Sequence, residues 1–208
     1  MAESDRDGIG SMHPGHYGAD GAGTVLHVAT TVAAWNVQGD PGRPSMLAQI
    51  GQSFGVPLPL APGTTRQEAG LLALWTGPRS WLLFESRPDG WPHKLVDFDA
   101  KRDALQAAGG ALFQVSASRI AFTIRGRQTE RILSQGCPLD LDARAFAPGR
   151  CAQSVLGHVS ALFYRHATTA AWTVFVARSL ADDAWRSLCM AAAGDGYDVE
   201  PPSAFSAT

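Results

Sequence analysis

The histidines and cysteines are the first side chains to consider, because both residue types ligate zinc and other transition metals. The six histidines and three cysteines are His13, His16, His27, His93, His158, His166, Cys137, Cys151 and Cys189. No C-x-x-C, H-x-x-x-H or H-E-x-x-H spacing occurs among them. We therefore expect no metal centre on this chain: the histidines are solvated or lie at strand edges, and the cysteines are reduced thiols.

Cys151 is the candidate nucleophile, because it follows Arg150 and a neighbouring cation lowers the pKa of a thiol. It also opens an apolar segment without charges, Cys151–Tyr164, which favours a buried structural thiol instead. The G-x-S-x-G pattern of serine hydrolases occurs once, at residues 51–55, but inside the predicted helix Met46–Phe54 and not at a strand-to-helix turn, and the S-x-x-K pattern is absent. The phosphate-binding patterns G-x-x-x-x-G-K-S/T and G-x-G-x-x-G are missing as well. The sequence therefore predicts no catalytic residues and no nucleotide site on this chain.

The charge balance excludes several classes of protein. Seventeen Lys and Arg against nineteen Asp and Glu give a net charge of −2, unlike the basic surface of a nucleic-acid-binding protein. No run of about 18 apolar residues could span a membrane, and the acidic N-terminal sequence lacks the apolar core of a signal peptide. Only 17% of the residues are charged, against about 25% in typical domains. We expect a cytoplasmic protein, part of whose surface is covered by a partner.

Charged residues are missing from three segments, Pro44–Thr65, Cys151–Tyr164 and Ala167–Ala177. The last two are strand candidates, and a central strand of a sheet is buried on both faces. The first is rich in turn residues, and turn-rich segments normally lie on the surface. We therefore expect a subunit interface there, centred on four apolar side chains: Phe54, Val56, Leu58 and Leu60.

Apolar periodicity and turn residues predict two series of elements. The first series is strand Val32–Gln38, helix Met46–Phe54 capped by Ser45, strands Leu71–Thr76 and Trp81–Glu85, helix His93–Ala108 and a connecting strand Ala111–Val115. The second series is strand Ile120–Gly126, helix Arg127–Gln135, strands Ala152–Arg165 and Trp172–Ala177, and helix Ala181–Ala193. Each helix is followed by a glycine, a common helix terminator.

The two series have the same order, strand–helix–strand–strand–helix, and they also share sequence. Ser53–Leu60 and Ser134–Leu141 are identical at five of eight positions. This recurrence predicts an internal duplication, and the alternative is two similar units that share only turn chemistry. The predicted fold class is α+β, with mostly antiparallel sheets and helices packed on them.

The domain organisation follows from the same pattern. We predict a single domain over residues 25–200, built from two similar halves at about 32–109 and 118–194. A half of about 80 residues would bury too little surface to be stable alone. Residues 1–24 contain few apolar side chains and are predicted to be a flexible tail, and residues 201–208 to be a second tail.

Three segments of the second half form a dense motif: Gly136–Leu141, Arg144–Phe146 and Pro148–Gln153. Three further segments accompany it: Ala73–Pro78, Trp81–Leu83 and Phe175–Ser179. Together they resemble the gamma subunit of heterotetrameric sarcosine oxidase. The resemblance extends over about residues 30–195, which leaves only the two ends of the chain outside it.

A more distant similarity is to the folate-binding domain of the glycine-cleavage aminomethyltransferase, which implies the same fold. In that family a D-x-S segment leads into a strand, and an aspartate in a later strand engages the folate amine. The corresponding segments here are Gln114-Val115-Ser116 and Gly157–Ala161, and neither contains a carboxylate. Independent folate chemistry is therefore not expected.

The resemblance implies a subunit of a four-part oxidase that demethylates sarcosine to glycine, forms hydrogen peroxide and passes the one-carbon unit to tetrahydrofolate. In this family FAD, FMN, NAD, tetrahydrofolate and zinc belong to partner subunits, so no catalytic, cofactor-binding or metal-binding residue is expected on this chain. Its partners would be the alpha, beta and delta subunits, whose flavin-bearing members it would stabilise. We expect the chain expressed alone to aggregate or to depend on chaperones.

The expected partner contacts combine the charge-free segment with the dense motif. They are Phe54, Val56, Leu58, Leu60, Arg144, Phe146 and Arg150. Two alternatives remain open at this point. One is the equivalent subunit of a related secondary-amine dehydrogenase, such as one acting on N-methylglutamate. The other is a free-standing folate-binding protein, which would need a carboxylate facing the folate.

Overall fold

Residues 12–20, 23–30, 33–86 and 97–207 are described by the computed structural model of the chain, as two series of strands and helices. Within these ranges the twelve strands are β1 (Gly15–Tyr17), β2 (Thr24–Thr30), β3 (Ala34–Gly39), β4 (Thr65–Glu68), β5 (Leu71–Gly77), β6 (Ser80–Glu85), β7 (Gly110–Gln114), β8 (Arg119–Gly126), β9 (Cys151–Leu156), β10 (Val159–Arg165), β11 (Ala171–Ala177) and β12 (Tyr197–Ala204). The four α-helices in the same ranges are α1 (Pro44–Phe54), α2 (Phe98–Ala107), α3 (Thr129–Ser134) and α4 (Ala181–Ala192).

The chain groups into two compact units. The five-stranded unit comprises Thr31–Ser118, Gly149–Ala152 and Ala204–Thr208. The seven-stranded unit comprises Met1–Thr30, Arg119–Pro148 and Gln153–Ser203. Each unit thus contains one predicted half together with short pieces from elsewhere in the chain. That the two halves fold as one domain stays a prediction.

The five-stranded unit is an antiparallel sheet in the order β4-β5-β6-β3-β7, with α1 and α2 packed on one face. Trp35 and Val37, two residues apart on β3, both enter the core against the helices, as the period of a strand requires. Helix α1 begins at Pro44, whose ring suits the first helical position. It ends before Gly55, whose φ of +72° allows the chain to leave the helix.

The seven-stranded unit has the sheet order β1-β12-β2-β8-β11-β10-β9. The pairs β1–β12, β2–β8, β8–β11 and β10–β11 are antiparallel. Helix α4 buries Trp185 and Leu188, and the Trp185 ring lies 5.2 Å from that of Phe122 on β8. In each unit a helix therefore packs against an aromatic residue of the strand that starts the repeat, Trp35 on β3 or Phe122 on β8.

The sheet orders confirm the predicted duplication. In the five-stranded unit the order is β4-β5-β6-β3, and the second repeat gives the same order as β9-β10-β11-β8. The next place is taken by β7 in the first sheet and by β2 in the second. Strand β2 precedes the first repeat and β7 precedes the second, so each sheet is completed by the strand that leads into the other repeat. The α+β fold class with mostly antiparallel sheets is confirmed.

The predicted bounds lie within two residues of the observed ones for most elements: β3, α1, β5, β6, β7, β8, α3, β11 and α4. Helix α2 begins at Phe98, and residues 93–96 of its predicted range lie outside the described residues. Ser45 is not the cap of α1, because the helix already begins at Pro44. The Ser45 hydroxyl instead donates to the carbonyl of Ala108 at 3.2 Å.

The predicted long strand Ala152–Arg165 is two strands, β9 and β10, joined by a turn at Gly157 and His158. Gly157 has a φ of +62°, which the turn requires and which a residue with a side chain rarely adopts. The lack of charged residues suggested one continuous strand, but Gly157 already indicated a turn within it.

Both predicted tails contain ordered structure. Gly15–Tyr17 pairs with Tyr197–Val199, so part of the first tail is strand β1. Strand β12 extends to Ala204, and Phe205 and Ala207 are buried. A composition poor in apolar residues does not prevent strand pairing, because backbone hydrogen bonds supply it. None of the described helices is long and apolar enough to cross a membrane.

Candidate subunit-contact site

Phe54, Val56 and Leu58 lie in the core of the five-stranded unit, although the sequence suggested that they face a partner. The Phe54 ring contacts that of Trp35 edge-on at 5.2 Å. The indole N–H of Trp81 donates to the carbonyl of Pro59 at 2.7 Å and holds the proline-rich segment against the sheet. The segment is free of charge because its side chains fill their own core, and a turn-rich composition did not reveal this.

Of the four apolar side chains predicted to contact a partner here, Leu60 is the one that is exposed, with 53% of the residue accessible. Its neighbours Pro57, Ala61 and Pro62 are exposed too, and none of them carries a charge. We call these four residues the Leu60 patch. In the second repeat the residue matching Leu60 is Leu141, which is buried. The exposure of Leu60 is therefore specific to the first repeat.

Arg150 lies beside the Leu60 patch. Its guanidinium donates to the carbonyl of Pro62 at 3.0 Å, and its backbone forms a bridge with Thr64. Further bonds join the same two segments: the Cys151 N–H donates to the Gly63 carbonyl at 2.9 Å, and the Thr65 hydroxyl to that of Gly149 at 2.8 Å. The structure thus brings together Leu60 and Arg150, two of the residues predicted to contact a partner.

Cys151 is a buried thiol, in agreement with the structural role predicted for it. Burial raises its pKa to about 12, against smaller opposing effects of the Trp75 backbone and the charge of Arg150. The thiol donates to the carbonyl oxygen of Trp75 at 3.4 Å. It is therefore protonated at neutral pH and a poor nucleophile.

The three cysteines give a first test of this burial. At about pH 8 we expect none of them to react with an aromatic disulfide reagent in the folded chain, because all are buried and the thiolate is the reactive form. All three should react after unfolding in guanidinium chloride. A Leu60→Cys variant is the matched control and should add one thiol that reacts without unfolding. Reaction of a native cysteine as fast as that of the added one would contradict this description.

Arg144 and Phe146 belong to the seven-stranded unit, and their environments differ. The Arg144 side chain is 93% exposed and donates to Asp142 at 3.0 Å. This bond, together with one from the Arg144 backbone N–H, lowers the pKa of the Asp142 carboxyl. Phe146 is buried, and its ring lies 4.8 Å from that of Trp172. Phe146 therefore anchors the loop to its own unit, and Arg144 is the residue presented to the solvent.

Arg165 fastens the loop that carries Arg144. Its guanidinium lies 5.3 Å from the Trp172 ring centre and donates to the Phe146 carbonyl at 3.0 Å. It also pairs with Glu130 at 3.3 Å. Arg165 was not predicted as a site residue, although a charged residue at the end of a long apolar strand was a signal for it. The arrangement stiffens the loop rather than serving a reaction.

A row of polar side chains crosses the seven-stranded sheet and was also missed. The strand register places His27, Thr123, Thr173 and Tyr164 side by side on β2, β8, β11 and β10. Thr173 lies 3.0 Å from Thr123 and 2.8 Å from Nε2 of His166, which is only 2% exposed. His166 was expected at the surface, but it completes this row inside the protein.

His158, which was also expected at the surface, is exposed at the β9–β10 turn. In the part of the chain that the structure describes, no group of three or more His, Cys, Asp or Glu side chains is placed to hold a metal ion. The exposed members of the predicted site therefore lie in two places, the Leu60 patch with Arg150 and the loop with Arg144. Both consist of groups suited to contact with another protein surface.

The fold places the chain among proteins that share this duplicated α+β arrangement. A chain of the heterotetrameric sarcosine oxidase from Corynebacterium sp. U-96, in complex with pyrrole 2-carboxylate, matches with a TM-score of 0.70 and 24% identity, over 94% of this chain and 93% of that one. The glycine cleavage system aminomethyltransferase T from Bartonella henselae matches with a TM-score of 0.52 and 12% identity, over 80% of this chain and 45% of that one. No curated protein sequence matches significantly.

The family follows from the sequence itself. The model of the sarcosine oxidase gamma subunit family matches residues 38–194, which include both repeats apart from most of strand β3. The chain therefore belongs to the sarcosine oxidase gamma subunit family. Its resemblance to the gamma subunit and, at a distance, to the aminomethyltransferase is confirmed.

Proposed function

We propose that this chain is the non-catalytic gamma subunit of a sarcosine oxidase complex and that it stabilises the flavin-bearing subunits. The observation that carries the proposal is the family match over residues 38–194, most of the chain. The fold agreement over nearly the full length of both chains supports it. The complex would convert sarcosine, oxygen and tetrahydrofolate to glycine, hydrogen peroxide and methylenetetrahydrofolate, in the cytoplasm.

In this proposal the chemistry belongs to the partner subunits alpha, beta and delta, with FAD, FMN, NAD, tetrahydrofolate and zinc. Three observations on the described residues favour a non-catalytic, stabilising role for this chain. Its nucleophile candidate is a buried, protonated thiol. The histidine at the end of its polar row, His166, is buried and hydrogen-bonded to Thr173. Its exposed site residues are an uncharged patch and two arginines, which suit contact with protein.

The complex can be tested by affinity purification of the tagged chain from its native host. We expect three further subunits, a flavin absorption spectrum and sarcosine-dependent peroxide formation in the purified material. Oxidation of N-methylglutamate instead of sarcosine would assign the chain to a related dehydrogenase. A chain that purifies without any partner and binds reduced folate would overturn the proposal.

The Leu60 patch gives a sharper test. We propose that Leu60 and Arg150 contact one partner and that Arg144 and Phe146 mark a second contact, with Phe54, Val56 and Leu58 supporting the first from inside. Leu60→Asp is expected to reduce the co-purified subunits by about tenfold or more, because the interface would have to desolvate an unpaired carboxylate. The measurement is the subunit ratio after affinity purification.

Met190→Asp is the matched control, since Met190 is also exposed, at 67%, and lies on α4 of the other unit. We expect it to leave the subunit ratio unchanged. If Leu60→Asp and Met190→Asp both retain all partners, the chain remains a subunit of the complex, but the Leu60 patch is not its contact surface.

A further inference from the structure

The N-terminal segment His13–Asp20, which we call the strap, lies along the outer edge of the seven-stranded sheet. Its strand β1 pairs with β12, with Gly15 opposite Val199 and Tyr17 opposite Tyr197. The rings of the two tyrosines stack with their centres 5.6 Å apart. The strap therefore makes both backbone and side-chain contacts with β12.

The end of the strap approaches the backbone after α4 very closely. The Ala19 N–H donates to the Ala193 carbonyl at 3.1 Å. Gly18 has a φ of +84°, and a Cβ at this position would lie 2.5 Å from the same carbonyl oxygen. Only glycine allows this approach, so the sequence of the strap is matched to its place on the sheet.

His16 joins the strap to the sheet through both of its ring nitrogens. Nδ1 lies 2.9 Å from a carboxylate oxygen of Asp198 on β12, and Nε2 lies 3.2 Å from the carbonyl oxygen of Ala19. Both partners accept hydrogen bonds, so each nitrogen must donate. A neutral imidazole has only one N–H, and the geometry therefore requires the protonated ring.

The strap covers the part of the β12 edge that could otherwise pair with another strand. Strand β1 occupies Tyr197–Val199, and the prolines Pro201 and Pro202 that follow have no N–H to offer. Uncovered strand edges invite pairing with other chains, and short strands and prolines are common protections. The two devices here protect adjoining parts of one edge, but only the strap is held by a titratable group.

We propose that the strap is a histidine latch: it is held on the edge of β12 while His16 is protonated and opens more often once His16 loses its proton. The charged groups that act on His16 are Asp198 on β12 and Asp20 in the strap, and both favour the protonated ring.

The direction of the pH dependence follows from these contacts. The hydrogen bond to Asp198 is the main cause that raises the pKa of His16 above its ordinary value of 6.5. The contribution of the latch is therefore complete below about pH 6.5 and is lost as the pH rises through the raised pKa. The strap is therefore held more firmly in mild acid and opens more often in mild alkali.

Hydrogen exchange of the full-length chain, with whatever subunits accompany it, tests the latch. The reporter is the protection factor of peptides covering residues 12–20, at roughly pH 6 and pH 9 on either side of the histidine range. We expect a two- to fivefold lower protection at the higher pH, roughly the effect of losing one exposed ion pair. His16→Gln should give the lower protection at both pH values.

His158→Gln is the control, because His158 is exposed on the β9–β10 turn, and it should retain the wild-type pH dependence. Equal wild-type protection at the two pH values would overturn the latch. A His16→Gln variant that keeps the full pH dependence would overturn it as well. Either result is independent of which complex the chain enters.

Discussion

Replacing Trp172 by alanine is expected to lower the free energy of unfolding of the seven-stranded unit by about 3–5 kcal/mol, the usual cost of removing a buried tryptophan. The side chain is almost completely buried and contacts the ring of Phe146 at 4.8 Å. The Arg165 guanidinium lies 5.3 Å from the centre of the Trp172 ring and would lose this contact. The loss should appear as a lower urea midpoint, followed by far-ultraviolet circular dichroism.

Trp172→Phe is the matched control. It keeps an aromatic ring for Phe146 and Arg165 but removes the indole N–H, which donates to Glu130 at a long 3.4 Å. We expect it to retain most of the stability, because a weak bond to a half-exposed carboxylate contributes little. If the alanine variant unfolded at the wild-type midpoint, Trp172 would not hold the loop as described.

The internal repeat explains why so much of the fold could be predicted from the sequence. A period of two in Ile120, Phe122 and Ile124 follows from the strand itself, and glycines mark the ends of helices. These are local signals, so both repeats and most element bounds could be predicted from the sequence. The places of β2 and β7 could not be predicted, because each strand pairs with the repeat that it does not lead into: β2 pairs with β8, and β7 pairs with β3. Such a pairing depends on three-dimensional proximity and leaves no local pattern.

The candidate site was less predictable for a related reason. A missing charge has two physical explanations, burial in the chain's own core and burial against a partner. Phe54 and Val56 belong to the first class, and Leu60 is the exposed exception. The repeat itself offered no warning, since Leu60 and its match Leu141 are the same residue type with opposite exposure. The lack of charge therefore drew attention to Pro44–Thr65 but could not show which of its side chains face outward.

Gly126→Ala is expected to cost about 3 kcal/mol or more of stability in the seven-stranded unit, because strain and a backbone clash add at this position. Gly126 ends β8 with a φ of +125°, and it lies opposite Thr24 on β2. A Cβ there would lie 1.9 Å from the carbonyl oxygen of Gly23. Since the obstacle is backbone, β2 would have to move away from β8. The measurement is the urea midpoint together with hydrogen exchange of β2.

Gly51→Ala is the matched control, because it makes the same chemical change at a position where the added methyl group has free space. It therefore separates the effect of the backbone clash from any general effect of replacing glycine by alanine. Gly51 lies inside α1, and a Cβ at that position meets nothing within 4 Å. We expect a stabilisation of about 0.5–1 kcal/mol, because alanine loses less conformational entropy than glycine in a helix. Opposite signs for the two variants would show that the place of Gly126 next to β2, and not the loss of a glycine, determines the cost. A neutral Gly126→Ala would instead mean that β2 does not lie against this end of β8.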